Sequence, residues 1–299
     1  MRYGGKGGQP ESLFKRVMSA LLGLPLYGLL IYSTVLQSTT VLIISSIVSL
    51  ACLYEFYMIS EKEDYAKAFV VPGIIAGLLI NVLMYLYAYG DVYLYNRYIP
   101  LYSVKPFFSI ILLLIAIILV FQIFKRNVQG GIYSLSITIF GLIMIVLSFS
   151  HLILMKALPN GIYYILIVHV AVMSNDTFAY FGGSIFGKHK AGITVSPNKS
   201  WEGFFSGLLF CVISVLICNE ALTFFLNIHL FSTIESAIIG ILIAIFADIG
   251  DLAESAIKRD GGFKDSGTLV PGHGGMWDVF DALIFTIPVF YYYLQIRGV

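Results

Sequence analysis

Residues 234–258 read IESAIIGILIAIFADIGDLAESAIK. After Glu235 the run is uncharged for twelve residues, and acids return only at Asp248, Asp251 and Glu254. A stretch of this length and continuity matches a helix that crosses a bilayer, which needs about 20 apolar residues. Continuous rather than alternating apolar character argues against a barrel strand. Working outward, comparable runs fall at about 14–36, 39–59, 68–89, 106–124, 133–155, 161–183, 203–219 and 276–296. The expectation is an all-α, polytopic integral membrane protein with about nine transmembrane helices. Composition agrees: 59% of the 299 residues are hydrophobic and 12% charged, about half the charge of a soluble domain. The chain reads as one membrane domain over 1–299, with a flexible tail at 1–13, N-terminal helices over 14–155 and C-terminal helices over 161–299. The apolar run after Lys15 and Arg16 lacks a small-residue cleavage site at its end, so a retained anchor is expected. Cys52, Cys211 and Cys218 all lie inside apolar runs and read as small core residues.

An odd number of spans puts the termini on opposite sides. With the N-terminus cytoplasmic, 14 of the 18 Lys and Arg residues face the cytoplasm, and only Arg97, Lys105, Lys156 and Arg297 face out. The net charge of +1 says little about partners, and no nucleic acid is expected among them. The tyrosine-rich segment from Gly90 to Lys105 reads as an interfacial belt.

A charge inside a span costs about 2.5 kcal/mol or more at the helix centre, so each needs a reason. The first five spans hold one carboxylate, Glu55, expected to line a polar groove or to pair with a basic residue near the cytoplasmic edge. Asp176, Glu202, Asp248, Asp251, Glu254, Asp278 and Asp281 are all in or beside the last four. Residues three apart share a helix face, so Asp248, Asp251 and Glu254 form one acidic face and Asp278 and Asp281 another. A short loop joins the two helices, and the faces can meet at the cytoplasmic edge. Carboxylates gathered this way repel one another unless a cation is present, and an all-oxygen set suits Mg²⁺ or Mn²⁺ rather than zinc. The plain alternative is helix capping with ion pairs to Lys258, Arg259 and Lys264.

The connecting loop, SAIKRDGGFKDSGTLVPGHGGMWDVFD over 255–281, adds a glycine turn and basic residues. Such a turn offers unobstructed N–H groups to an anion, and the cations beside it suit a polyphosphate. Metal carboxylates, a glycine turn and basic side chains are the parts that phosphoryl or nucleotidyl transfer requires. A second cluster runs from Ser174 to Gly203, through Asn175, Asp176, Lys188, His189, Lys190 and Lys199. Positive-inside bias explains its lysines but not Asn175-Asp176 inside an apolar helix. Ser200-Trp201-Glu202 can equally be a helix start. His169 shares a face with Asp176 and reads as a core histidine.

The 255–281 stretch resembles the signature of the phosphatidate cytidylyltransferases. Ser255, Lys258, Arg259, Lys264, Asp265, Pro271, Gly272, His273, Gly274, Gly275, Asp278 and Asp281 stand at its fixed positions. SNDTFAYFGG, GKHK and SPNKSWEG also look like motifs of that family, so the resemblance covers about the last 125 residues. It implies the conversion of CTP and phosphatidate to CDP-diacylglycerol and pyrophosphate. The family pattern then implies Asp251, Asp278 and Asp281 as ligands of Mg²⁺ or Mn²⁺, with K⁺ as a candidate second cation. Lys258, Arg259, Lys264, Asp265 and His273 would be catalytic. Asn175, Asp176, Lys188, Lys199, Ser200, Glu202, Gly274 and Gly275 would bind substrate. The implied partners are CTP, phosphatidate from the bilayer, membrane lipid and a second copy of the chain, and the implied place is the inner (cytoplasmic) membrane. Val279 stands where the pattern has Arg, which Val does not replace as a bidentate partner. Either that Arg is structural, or Arg259 or Lys264 substitutes for it, or the activity differs. A CTP-dependent lipid kinase and a CDP-lipid synthase for another lipid phosphate use the same parts. A cation-coupled transporter fits less well, since such sites lie at the midplane between repeats.

Overall fold

The computed structural model describes residues 38–62, 67–94, 104–125, 129–270 and 274–299. The tail at 1–13, the expected first span at 14–36 and His273 lie outside the described residues. The elements are α1 (Ser38–Ile59), α2 (Val70–Leu94), α3 (Val104–Lys125), α4 (Gly131–Gly141), a π-helical segment (Leu142–Leu147), α5 (Ser148–Ala157), α6 (Gly161–Phe186), α7 (Trp201–Leu226), α8 (Thr233–Asp260), α9 (Trp277–Phe280) and α10 (Leu283–Arg297). The described residues form helices and loops, with isolated bridges at Lys190–Ser200 and Val270–Gly274.

Seven stretches among the described residues are long and apolar enough to cross a membrane: Thr39–Ile59, Val70–Tyr89, Gly131–Ala157, Gly161–Phe186, Trp201–Leu226, Thr233–Asp260 and Trp277–Arg297. Of the nine expected, the first lies outside the described residues, and the fourth is α3, whose described apolar stretch, Leu112–Phe124, is shorter. The fifth is one rod made of α4, the π segment and α5. The ninth is made of α9 and α10, joined through Asp281 and Ala282, whose backbone stays right-handed helical.

The core explains how the N-terminal helices reach the C-terminal ones. Leu53, Phe56 and Tyr57 of α1 are buried with Ile145, Phe149 and Ile153 of the rod. Polar ties set the depth of each helix: Tyr57 Oη donates to Thr138 O at 2.9 Å, and Ser45 Oγ to Phe149 O at 3.0 Å. Trp277 of α9 packs edge-on against Phe56, with ring centroids 5.5 Å apart.

The helices alternate in direction, so their ends collect at two poles. At one pole Lys62 meets Asp260 at 2.8 Å, and Tyr133 Oη donates to Ser60 O at 2.6 Å. At the other, Arg297 pairs with Glu235 at 2.9 Å and lies 5.0 Å from the Phe231 ring. There Asn219 exchanges two hydrogen bonds with the Phe231 backbone, at 2.8 and 3.1 Å. Small residues bring α6 and α7 close: a Cβ on Gly203 would stand 2.8 Å from Ala179 O, and one on Gly207 2.9 Å from Asn175 O.

Candidate active site

The first pole holds the acids. Along α8, Asp248, Asp251, Glu254 and Lys258 follow one another at helical spacing, forming a polar stripe on an otherwise apolar helix. Oxygens of Asp251, Glu254 and Asp281 all lie within 4.8 Å of one another. Glu254 is 1% exposed, and its oxygens have no hydrogen-bond donor apart from the ion contact with Lys258. Buried carboxylate lone pairs without donors, close to two more carboxylates, fit a hard cation. The described residues thus include an acidic group able to hold a metal ion.

Two lysines flank this group. Lys199, at the end of the loop between α6 and α7, reaches Asp251 at 2.7 Å and Asp248 at 3.2 Å. Burial by itself would lower the Lys199 pKa; Asp251 and Asp248 outweigh it, and the pKa is raised. Lys258 bridges Glu254 and Asp278, the latter at 2.6 Å. The loop that presents Lys199 is braced locally. Ser200 Oγ caps α7 by accepting from Gly203 N–H at 3.2 Å, as the helix-start reading of Ser200-Trp201-Glu202 has it. Glu202 accepts from His189 at its backbone N–H and, at 2.6 Å, at Nδ1.

Asp278 is placed differently from its implied role. Oδ2 accepts from Ser266 N–H and Gly275 N–H, both at 2.7 Å, and lies 2.9 Å from Ser266 Oγ, while Oδ1 receives Lys258. Its oxygens therefore have donors already, and Glu254 rather than Asp278 stands with Asp251 and Asp281. The glycine turn differs from expectation for the same reason. Gly274 N–H donates to Val270 O at 3.1 Å, Gly275 N–H to Asp278, and the N–H groups of Met276 and Trp277 to Glu55, each at 2.9 Å. The anions that this turn cradles belong to the chain itself. Gly274 has φ +114°, and a Cβ there would stand 2.5 Å from Asp278 Oδ2, so both backbone shape and crowding require glycine.

The cytidylyltransferase family model matches residues 14–297.
The chain belongs to this family.
Among its relatives is the uncharacterized protein YnbB of Escherichia coli, 37% identical over 58% of this chain and 58% of that protein. Phosphatidate cytidylyltransferase 5, chloroplastic, of Arabidopsis thaliana is 41% identical over 46% of this chain and 33% of its own length. A phosphatidate cytidylyltransferase of Staphylococcus haemolyticus is 29% identical over 88% of this chain and 93% of its own length. The first two matches thus span between a third and three-fifths of those relatives.

Against the family signature, the described residues divide by position. Asp251, Asp278, Asp281, Lys199 and Lys258 converge. Asn175 is buried, with Nδ2 3.5 Å from Asp176 Oδ1 and its own Oδ1 without a donor. Asp176 is exposed and lies within electrostatic range of Asp251, Asp248 and Lys199. Arg259, Lys264, Asp265 and Lys188 are exposed at the rim. Arg259 Nη1 donates to Phe263 O at 3.0 Å, closing the turn after α8. Val279 is 38% exposed on α9. The residues outside the implied ligand and substrate sets are Glu254 and Ser266. The i,i+3 series on α8 pointed to Glu254, whereas nothing in the sequence singled out Ser266.

Proposed function

We propose that the protein transfers the cytidylyl group of CTP to phosphatidate at the cytoplasmic face of the inner membrane, releasing pyrophosphate. A phosphate oxygen of phosphatidate attacks the α-phosphorus of CTP, and the bond from that phosphorus to the oxygen bridging to the β-phosphate breaks. The lipid phosphate is ionised near neutral pH, so no dedicated general base is required. The observation that carries this reading is the convergence of Asp251, Glu254 and Asp281 within 4.8 Å, with Lys199 and Lys258 on either side.

Two anions must approach each other, so the site must neutralise charge where it develops. Asp251, Glu254 and Asp281 would hold Mg²⁺ or Mn²⁺, which supplies Lewis-acid stabilisation of the triphosphate. Asp248 and Asp176, one helix turn and one helix away, are the candidates beside a second, monovalent cation such as K⁺. Lys199 orients phosphate while keeping Asp251 in place. Lys258 fixes Glu254 against Asp278 and so sets the spacing of the acids. Arg259, Lys264 and Lys188, exposed at the rim, guide CTP and the lipid phosphate, with Asp265 and His273 as further candidates from the same signature. Ser200 and Glu202 brace the loop that carries Lys199, Gly274 and Gly275 shape the turn, and Asn175 buttresses Asp176. The positive-inside pattern supports a cytoplasmic site, where CTP and the leaflet both reach it. A second copy of the chain is a candidate partner.

The test uses purified protein with phosphatidate, Mg²⁺ and CTP labelled at either the α- or the γ-phosphate. Transfer of α-label into lipid, abolished by a chelator, is the expected result. Transfer of γ-label instead would identify a lipid kinase, and transfer of neither would set the reading aside.

A further inference from the structure

Glu55 is the only charged residue of α1, is 4% exposed and belongs to the half of the chain that carries none of the signature. Its carboxylate nevertheless grips the signature turn. Oε1 accepts from Met276 N–H at 2.9 Å, and Oε2 accepts from Trp277 N–H at 2.9 Å and lies 2.9 Å from Ser266 Oγ. These partners are neutral, so of the two expectations, lining a polar groove or pairing with a basic residue, the contacts fit the polar setting. A buried carboxylate persists without a counter-charge only where fixed donors replace its hydration. Ser266 Oγ lies equally far, 2.9 Å, from Asp278 Oδ2. A hydroxyl carries one proton, so Ser266 links the two carboxylates while donating to one at a time. The apolar side of the grip comes from the next residue of α1: Phe56 meets the edge of Trp277, which is 0% exposed.

We infer that Glu55 is a positioning residue for the transfer reaction: by holding the N–H groups of Met276 and Trp277 it sets where α9 begins, and so where Asp278 and Asp281 stand against α8. The activity part of this inference rests on the proposed function; the structural part does not. The N-terminal helices then contribute to the site rather than only to its anchorage.

Glu55→Gln keeps the shape but replaces one acceptor oxygen with a donor, so at least one of the three donors loses its partner. In full-length protein in detergent, kcat should fall by about 10- to 100-fold, the usual effect of losing an outer supporting contact. KM for CTP should stay within about twofold, because the lost term is positioning rather than uniform binding. Glu55→Asp should recover part of kcat. Two readouts do not depend on turnover. Hydrogen exchange over 274–281 should accelerate in Glu55→Gln while 219–232, at the far pole, is unchanged. In a Trp201→Phe background, which leaves Trp277 as the single tryptophan, its emission should shift to the red.

Wild-type kcat together with wild-type exchange over 274–281 would overturn the inference. So would a loss of turnover that merely tracks the loss of folded protein, with exchange faster throughout the chain. If Glu55→Gln does not fold, Ser266→Ala removes only the bridge. It should raise exchange in the same segment and lower kcat, and no change in either would equally overturn the proposal. If the wild-type protein puts no label into lipid, the reaction reading fails, and exchange and emission still decide whether Glu55 holds the turn.

Discussion

Asp281 Oδ1 accepts from Ala282 N–H at 2.6 Å, and the carboxylate stands with those of Asp251 and Glu254. Three like charges this close repel across a partly buried gap. Asp281→Asn should therefore leave the cation-free protein at least as stable as the wild type while reducing turnover by about 100-fold or more. Thermal unfolding in detergent checks both halves. Added Mg²⁺ should raise the wild-type midpoint, as any ligand of the folded state does, and leave that of Asp281→Asn unmoved. Val279, exposed on α9, leaves room for a longer side chain whose charge stays in water. Val279→Arg should thus keep or raise turnover in the labelled-CTP assay; a collapse would mean that the pocket is shaped around the smaller side chain.

At the scale of elements, the pairing of α6 with α7 places Asn175 and Asp176 beside α8. The two helices approach at Gly203 and Gly207, where added atoms would press on Ala179 O and Asn175 O. Gly207→Val should destabilise the protein by about 1–3 kcal/mol through overpacking, and should lower turnover further by displacing Asn175. Denaturant unfolding in detergent measures the first effect and the CTP assay the second; full stability would show that the crossing can relax. The start of the last span divides its acids by helical spacing, since the backbone stays right-handed helical through Asp281 and Ala282 and sets Asp278 and Asp281 about one turn apart. Asp278 meets Lys258 and Ser266, while Asp281, one turn on, joins the acids of α8.

Across the whole molecule, the acids, Lys199 and the Glu55 grip share one pole, and the Arg297–Glu235 pair marks the other. The Lys and Arg bias supports the proposal that the first pole faces the cytoplasm. Cysteine placed at Lys264 should then react with a membrane-impermeant thiol reagent only from the cytoplasmic side, and cysteine at Lys156 only from the opposite side. Of the native thiols, Cys52 and Cys211 are buried and Cys218 half-buried, so background labelling should be low. The reverse pattern of labelling would invert the topology.

What the sequence determined by itself follows from terms that are local or additive. Hydropathy over a window of about 20 residues identifies membrane helices whatever their neighbours do, and the runs of α1, α2, α6, α7, α8 and α10 were legible for that reason. The helical period likewise put Asp248, Asp251 and Glu254 on one face. Tertiary structure alone decided how the carboxylates are divided. Lys258 contacts both Glu254 and Asp278, but Ser266 and Gly275 give backbone donors to Asp278 alone, and Glu254 is the one that stands with Asp251 and Asp281. Glu55 acts 221 residues away from Met276. No window along the chain contains that contact, because it exists only once the N-terminal helices have packed against the signature turn.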